Sequence, residues 1–181
     1  MTTCVALLRA INVSGKNAIR MAELQQVCAD LGLKGVRSYL QSGNLVFRTS
    51  RSDAAKLAGA IKAGIARGTG HDVAVLVMPA EEFNAVADSN PLRPQSGGEE
   101  RMFHATFLFH PVSKRSFEAL KLPLAPGESA LLACQVVLLH CPHGYGRTKL
   151  NNGYFEKALG VPATTRNWRT VLALQQLCKA P

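Results

Sequence analysis

The hydrophobic positions in the first half of the chain follow the two repeats that distinguish helices from strands. Apolar residues at three- and four-residue spacing from Met21 to Leu31, and again from Leu57 to Ile65, predict two helices. Short apolar runs bounded by polar, glycine-containing turns predict strands at 4–9, 36–41, 45–49 and 73–78. The order strand, helix, strand, strand, helix, strand is typical of a ferredoxin-like unit.

The second half repeats most of this pattern. Pro79 predicts the start of a helix, and the loop 90–100, rich in proline, glycine and charge, marks the best internal boundary. The later predicted elements are a half-buried strand at 102–109, a helix at 113–121, strands at 131–134 and 136–140, and helices at 148–159 and 167–179. We therefore predict an α+β fold of two ferredoxin-like subdomains, duplicated or intertwined, with antiparallel sheets and helices on one face. The predicted subdomains are 1–78 and 79–181, the second with the C-terminal helices, and a single compact intertwined domain is the alternative.

Motifs stand near both ends of the chain. They are LLRAINVSGKN at 7–17, YLQSGNLVF at 39–47, GYGRTKL at 144–150 and ATTRNWRTV at 163–171. Together these motifs resemble the family called domain of unknown function 1697, over essentially the whole chain. The resemblance implies a bacterial cytoplasmic protein with two intertwined ferredoxin-like subdomains and no established activity. The family usually has glycine at the positions of Ala10 and Ser14, so a loop that needs positive φ there is disfavoured in this chain.

The positive charge is concentrated at the two ends of the chain. The 181 residues carry 21 Lys and Arg against 12 Asp and Glu, a net charge of +9, and 47% of them are hydrophobic, which excludes a disordered or fibrous protein. Residues 1–50 hold six bases and two acids, residues 143–181 hold six bases and one acid, and the segment between them is balanced. If the ends meet, they form a basic face that attracts phosphates, nucleic acid or another anionic partner. A dispersed basic surface is the alternative.

The loop after the first strand offers a place for an anion. Gly15 and Lys16 stand where a phosphate-binding loop has its second glycine and its lysine, but Ala10 replaces the first glycine and Asn17 replaces the magnesium-binding Ser or Thr. These differences argue against a true P-loop. Backbone amides around Gly15 with charge from Lys16 could still cradle one anion. A solvated turn fits the same residues.

Four cations stand near the predicted starts of the last two helices, where the helix dipole favours acids instead. These cations are Arg147, Lys149, Arg166 and Arg169. A bound anion would meet free helical amides and basic side chains together, which would explain their placement. The alternative is that solvent screening makes the placement tolerable, with Thr165 and Asn167 as ordinary N-caps.

The turn between the second and third predicted strands carries amides and a hydroxyl. Gln41, Ser42 and Asn44 could hydrogen-bond a ligand. The same residue types close hairpin turns, and we favour that interpretation.

Common catalytic and metal-binding motifs are missing from the sequence. It has no G-x-S-x-G, H-E-x-x-H or S-x-x-K pattern, and its histidines and cysteines lack metal-ligand spacing, so no metal and no cofactor is predicted. His143 and Tyr145 are candidate proton carriers beside Arg147 and Lys149. An RNA-recognition sheet would need aromatic residues on its first and third strands, where this sequence has only Phe47.

We expect a cytoplasmic protein. No apolar run approaches the ~20 residues that span a bilayer, and the N-terminal residues do not resemble a signal peptide. The five cysteines fit a reducing compartment, with Cys4 and Cys134 buried in strands.

These patterns lead to one leading hypothesis, the binding of an anionic, phosphate-bearing ligand at a basic face built from the two chain ends. The candidate ligand-binding residues are Arg9, Asn12, Gly15, Lys16, Asn17, Gln41, Ser42, Asn44, Arg147, Lys149, Thr165, Arg166, Asn167 and Arg169. The alternatives are a transferase or hydrolase that acts on such a ligand with Tyr145 or His143 as proton carrier, a nucleic-acid backbone-binding module, and a structural or partner-binding module. The expected partner is a phosphate-bearing small molecule or a nucleic-acid backbone, with no membrane and no identifiable protein.

Overall fold

The computed structural model describes residues 1–12, 18–93 and 99–180. Contacts divide the chain into two units, Met1–Ala85 with Ala173–Pro181 and Val86–Leu172, so the chain returns to the first unit at its C-terminal end. None of the helices among the described residues is long and apolar enough to cross a membrane.

The first unit is built on a four-stranded antiparallel sheet with the strand order β2-β3-β1-β4. Its elements, in chain order, are β1 (Thr2–Leu8), α1 (Met21–Asp30), β2 (Lys34–Ser38), β3 (Asn44–Thr49), α2 (Ala54–Thr69) and β4 (Val75–Pro79), followed by α3 (Ala80–Asp88). This is the ferredoxin-like arrangement that the hydrophobic pattern predicts.

One face of this sheet packs against α1 and α2. Cys4, Ala6 and Leu8 of β1 belong to a buried cluster that includes the apolar faces of both helices. Asp53 caps α2 where the sequence predicts its start, because its carboxylate accepts a hydrogen bond from Lys56 N at 2.9 Å. The apolar spacing therefore identified both the helices and the face that each one buries.

The second unit repeats the arrangement, with the strand order β6-β7-β5-β8. Its elements are β5 (Phe103–Leu108), α4 (Lys114–Glu118), β6 (Ser129–Ala133), β7 (Val136–His140), α5 (Asn152–Leu159) and β8 (Ala163–Asn167), with 3-10 turns at Glu100–Met102 and Tyr145–Arg147. The last helix, α6 (Trp168–Lys179), begins in this unit and belongs to the first unit from Ala173 onward. Two similar α+β subdomains with antiparallel sheets are thus confirmed.

β8 is the strand that the sequence analysis missed. It pairs antiparallel with β5, with Ala163 opposite Leu108 and Asn167 opposite His104. Its sequence ATTRN has little apolar character, so it gave no strand signal. Arg166 consequently lies in a buried strand and not at the start of a helix, as was predicted.

α5 begins later than predicted. The hydrophobic pattern predicts a start near Thr148, whereas the helix begins at Asn152 because Asn151 Oδ1 accepts a hydrogen bond from Tyr154 N at 3.0 Å. Arg147 and Lys149 therefore precede the helix and do not occupy its first turn, which corrects the prediction for both residues.

β5 is buried on both faces, whereas its alternating pattern predicts a half-buried strand. Phe103 and Phe107 are 0% exposed, but His104 and Thr106, which point to the opposite face, are also buried. Buried polar side chains are tolerated when they form hydrogen bonds. Because His104 and Thr106 are buried, they need polar partners inside the second unit.

Two expectations about single residues are also wrong. Ala10 has a φ of 53°, although a residue with a Cβ disfavours this region. The chain turns sharply there, since Arg9 N is held by Ala74 O at 2.9 Å. Cys134 is exposed in the two-residue turn between β6 and β7, with a φ of 54°, and is not buried in a strand. Ser14 lies outside the described residues.

Candidate functional site

Asn12 closes the loop that follows β1. Its Oδ1 accepts a hydrogen bond from Ile19 N at 2.9 Å, and its Nδ2 donates to Ile19 O at 3.0 Å and to Gln41 O at 2.7 Å. The side chain thus holds the two ends of the loop beside the turn between β2 and β3. Gly15, Lys16 and Asn17 lie outside the described residues, so an anion cradle in this loop stays a prediction.

Asn44 closes the turn between β2 and β3. It is buried, and its Nδ2 donates to Tyr39 O at 3.0 Å and to Ser42 Oγ at 2.9 Å. Of the side chains predicted to contact a ligand here, those of Ser42 and Asn44 therefore form hydrogen bonds within the turn. The half-buried Arg9, at the end of β1, belongs to the same unit.

The second unit contains a group of polar side chains around His104. We call it the His104 cluster, and its members are His104, Thr106, Tyr145, Asn152, Thr165 and Asn167. Antiparallel pairing of β5 with β8 places Thr165 opposite Thr106 and Asn167 opposite His104. The 3-10 turn contributes Tyr145, and the first residue of α5 contributes Asn152.

The hydrogen bonds of Asn167 determine the tautomer of His104. Asn167 Oδ1 accepts from Arg169 N at 3.0 Å, which assigns Nδ2 as the atom that lies 3.2 Å from Arg101 O and 3.2 Å from His104 Nε2. Because Nδ2 is a donor, Nε2 is the acceptor and the imidazole proton resides on Nδ1. Burial lowers the pKa of His104 to about 4, opposed by the nearby Met102 carbonyl, so the ring is neutral at pH 7.

Tyr145 covers the ring of His104. The ring centroids lie 4.7 Å apart with an interplanar angle of 25°. The Tyr145 hydroxyl is buried and lies near the Thr165 hydroxyl and the Asn152 backbone amide, but it meets no partner in hydrogen-bonding geometry among the described residues. Burial raises the pKa of Tyr145, although these two neighbours lower it in part, so the hydroxyl keeps its proton and can donate it.

A chain of hydroxyl groups connects the two strands to α5. Thr165 Oγ1 donates to Asn152 Oδ1 at 2.7 Å, which uses its single proton. Thr106 Oγ1, 2.7 Å from Thr165 Oγ1, is therefore the donor in that second bond. The directed chain holds the start of α5 against the centre of the sheet.

Three of the predicted cations are close in sequence to members of this cluster. Arg147 follows Tyr145 by two residues, Arg169 follows Asn167 by two residues, and Lys149 lies in the loop before α5. All three are exposed, and in the described part of the chain none of them has an acidic group within ion-pairing distance. Their side chains are available to an anion from solution.

Arg166 lies apart from these surface cations. It is 8% exposed, and its Nη1 donates to Thr164 Oγ1 at 2.8 Å and to Thr165 O at 3.0 Å. Because adjacent strand residues point to opposite faces, Arg166 points away from the face that carries Thr165. Burial lowers the pKa of Arg166 to about 10, which leaves it charged at pH 7.

The second candidate proton carrier, His143, is exposed. Its Nε2 lies 2.9 Å from Pro126 O, so in the neutral ring Nε2 carries the proton and Nδ1 can accept one. Within the described residues, no three His, Cys, Asp or Glu side chains are grouped closely enough to hold a metal ion.

Sequence comparison identifies the family. The model of the family described as "Protein of unknown function (DUF1697)" matches residues 1–136. The chain belongs to this family. The matched segment includes the Met1–Ala85 part of the first unit and ends before Tyr145. No curated protein is a significant match.

A solved structure supports the fold of the whole chain. The conserved bacterial protein SP0830 from Streptococcus pneumoniae is 26% identical, with a TM-score of 0.73, and the alignment covers 98% of each chain. The likeness extends over both units, whereas the family match includes only His104 and Thr106 of the His104 cluster.

Sequence reasoning missed His104, Thr106 and Asn152. His104 and Thr106 alternate with phenylalanines in β5, and this pattern assigned them to a solvated face. A polar pair within an otherwise apolar strand is the one signal that could have identified them, but only in combination with a strand at 163–167. That strand was not predicted.

Proposed function

We propose that this protein binds an anionic, phosphate-bearing ligand at the surface of the second unit beside the His104 cluster. One observation carries the proposal. Tyr145 and Asn167 contact the same imidazole, and each is followed two residues later by an exposed arginine, Arg147 or Arg169. The two segments that carry these arginines are thus both held by one buried ring.

The chemistry of these side chains suits a phosphate. A guanidinium group donates in a planar fork that matches two phosphate oxygens, and a charge-assisted hydrogen bond is worth about 1.5–3 kcal/mol. Lys149 adds a further positive charge in the same loop. The Tyr145 hydroxyl is buried, and we therefore assign it no direct contact with a ligand at the surface. Arg166 is buried on the other face, and we therefore assign it no direct ligand contact.

Ligand contacts in the first unit are a separate part of the hypothesis. Arg9, Asn12 and Lys16 would supply them, with Gln41 beside Asn12. The variant Lys16→Glu tests this group by itself, because it leaves the second unit unchanged.

The experiment is a thermal-shift and calorimetric titration with inorganic phosphate, nucleotides, sugar phosphates, short RNA and duplex DNA. A ligand that binds the native state raises the melting temperature by mass action. We expect saturable binding of a small phosphate compound that weakens about tenfold or more in the double variant Arg147→Gln/Arg169→Gln. The matched control is Arg67→Gln/Lys157→Gln, which removes two exposed cations elsewhere and should bind as the native protein does.

Two results would contradict the proposal. One is binding that is equally weakened in the control, which would indicate general attraction to a basic protein. The other is a response to polymers alone whose affinity falls steeply with salt, which would indicate contact with a nucleic-acid backbone.

A second candidate function is an enzyme that acts on the same ligand. The observation that favours it is the Tyr145 hydroxyl, whose pKa is raised by burial so that it keeps its proton, and which would act as the general acid once a bound ligand reaches it. In that case Tyr145→Phe would abolish turnover of a phosphate ester while binding persists. Retained turnover in Tyr145→Phe, or turnover lost only in His143→Ala, would exclude this role for Tyr145.

A further inference from the structure

β6 lies at an edge of the second-unit sheet, and β7 is its one strand neighbour in the part of the chain that the structure describes. Its residues, Ser129–Ala133, include no charged residue and no proline. Leu131, in the middle of the strand, is 39% exposed. An uncharged and partly exposed edge strand is a template on which another strand can pair.

The other edge strands have features that discourage such pairing. β2, the corresponding strand of the first unit, carries Lys34 and Arg37, and its register with β3 shifts between them. β8 carries Arg166, and β4 ends in Pro79, which has no backbone N–H. Charges, irregular register and proline are the usual protections of sheet edges, and β6 has none of them.

The turn after β6 decides which of its backbone groups point outward. The turn consists of residues 134–135, and Ala133 pairs with Val136. The pair that closes a two-residue turn exchanges hydrogen bonds, and bonded and non-bonded pairs then alternate along the ladder. The N–H and C=O groups of Ala130 and Leu132 therefore point away from β7.

We propose that β6 pairs antiparallel with β6 of a second copy of this chain, about a two-fold axis at Leu131. In this register Ala130 of each copy lies opposite Leu132 of the other, so every outward N–H meets an outward C=O. Moving the axis to Ala130 or Leu132 would leave outward groups opposite residues beyond the end of the strand. The strand is thus complementary to itself in one register.

The side chains fit the same arrangement. The two Leu131 side chains meet at a non-hydrogen-bonded pair, where Cα atoms approach to about 4.5 Å. On the opposite face, Ala130 and Leu132 line a groove of about 250 Å³ beside α4, whose lining also includes Lys114 and Glu118. Phe117, Leu120 and Leu122 are the other apolar side chains on this face of the groove. Pairing extends this apolar surface across the two-fold axis.

The lack of charge in β6 also permits a second copy as the occupant. Like charges directly opposite each other destabilise a strand pair, and β6 paired with itself brings none together, whereas β2 paired with itself would add two cations from each copy. The copies as a whole repel, because each has a net charge of +9. Screening by salt should therefore strengthen the association, which is the opposite of the salt dependence of anion binding.

The first test is the mass of the full chain by light scattering across a concentration series at low and moderate salt. We expect a concentration-dependent dimer that weakens about tenfold or more in Leu131→Lys, since the two lysines would face each other at the axis. Leu124→Lys is the matched control, because Leu124 is also an exposed leucine (46%) but lies outside β6. A chain that is monomeric at every concentration, or a dimer that Leu131→Lys leaves intact, would overturn the proposal.

A cross-linking experiment tests the register. In a Cys134→Ser background, Leu131→Cys should form an intermolecular disulfide with diamide, because Cα atoms about 4.5 Å apart suit a disulfide. Peptide mapping should locate the bridge between the two copies of position 131. The control pair, Cys134→Ser with Leu124→Cys, should cross-link much less. Equal cross-linking of the two variants would contradict an axis at Leu131.

Discussion

The phenol ring of Tyr145 stacks on the imidazole of His104, with ring centroids 4.7 Å apart. This contact joins the loop before α5 to the central strand of the second sheet. Asn167 holds the same imidazole from the neighbouring strand, with its Nδ2 3.2 Å from Nε2. One buried and neutral ring therefore positions the two segments that carry Arg147 and Arg169. The stacking of Tyr145 and the hydrogen bond of Asn167 therefore hold the imidazole in place and also position the proposed binding residues.

The first prediction concerns pH. The pKa of His104 is about 4 in the folded chain and near 6.5 in the unfolded chain, so the unfolded state binds more protons between these values. We expect the free energy of unfolding to fall as the pH decreases from 6.5 to 4, by about 3 kcal/mol in total. Urea denaturation at a series of pH values measures this pH dependence of the free energy of unfolding. His104→Gln should flatten the dependence in that window, and an unchanged slope would show that other groups control it.

The second prediction concerns the hydrogen bond between Asn167 and His104. An amide donates to a neutral Nε2, whereas a carboxylate accepts from a protonated one, so Asn167→Asp should raise the pKa of His104. A titration of the imidazole resonances by NMR measures the change. Asn167→Ala removes the same bond and the bond to Arg169 N, and should lower the free energy of unfolding by about 1–2 kcal/mol without adding a negative charge. Equal pKa values of His104 in the two variants would contradict a hydrogen bond from Asn167 to His104 Nε2.

The third prediction concerns Ala10. Its φ of 53° costs an L-residue roughly 1–2 kcal/mol, which glycine does not incur, although glycine loses more entropy on folding. Ala10→Gly should therefore raise the free energy of unfolding by about 0.5–1 kcal/mol. The control is Ala63→Gly, at an exposed position inside α2, which should lower it by about 1 kcal/mol. Chemical denaturation measures the free energy of unfolding of both variants. A lower value in Ala10→Gly than in the native protein would contradict the observed φ.

The fourth prediction compares two glycines of α2. A Cβ at Gly64 would lie 2.6 Å from Val27 Cγ1, whereas a Cβ at Gly59 meets nothing within 4 Å. Gly59→Ala should stabilise the protein by up to about 1 kcal/mol, because alanine is the better helix former. Gly64→Ala should destabilise it by about 1–3 kcal/mol, because α1 must move away. If both substitutions stabilise the protein, α1 and α2 are not packed closely enough for a Cβ at Gly64 to clash with Val27.

The sequence identified the elements that depend on local patterns. α1 and α2 follow from apolar residues at helical spacing, and the start of α2 follows from Asp53. The hairpin of β2 and β3 follows from a glycine-containing turn, and Gly43 has the positive φ of 74° that such a turn uses. These features involve residues close together in the chain, so the sequence alone was sufficient to predict them.

The candidate site could be predicted only in part. The surface cations Arg147, Lys149 and Arg169 were identified from their sequence context. Their relation to His104 was not, because it requires β8, a strand of polar residues that is recognisable only through its pairing with β5. The same omission placed Arg166 at a helix start when it is buried in the sheet.

The sequence by itself determined that this is a basic α+β protein with a repeated strand and helix order, because amphipathic period and turn chemistry are local properties of the chain. Only the tertiary structure decided which polar residues are buried and which backbone edges stay open. His104 and Thr106 are buried because β8 and the loop of Tyr145 cover them, and Ala10 accepts a positive φ because the chain must turn at the end of β1. β6 is an unprotected edge because no other described strand pairs with it beyond β7. Each of these outcomes depends on contacts between residues far apart in sequence, which local patterns do not encode.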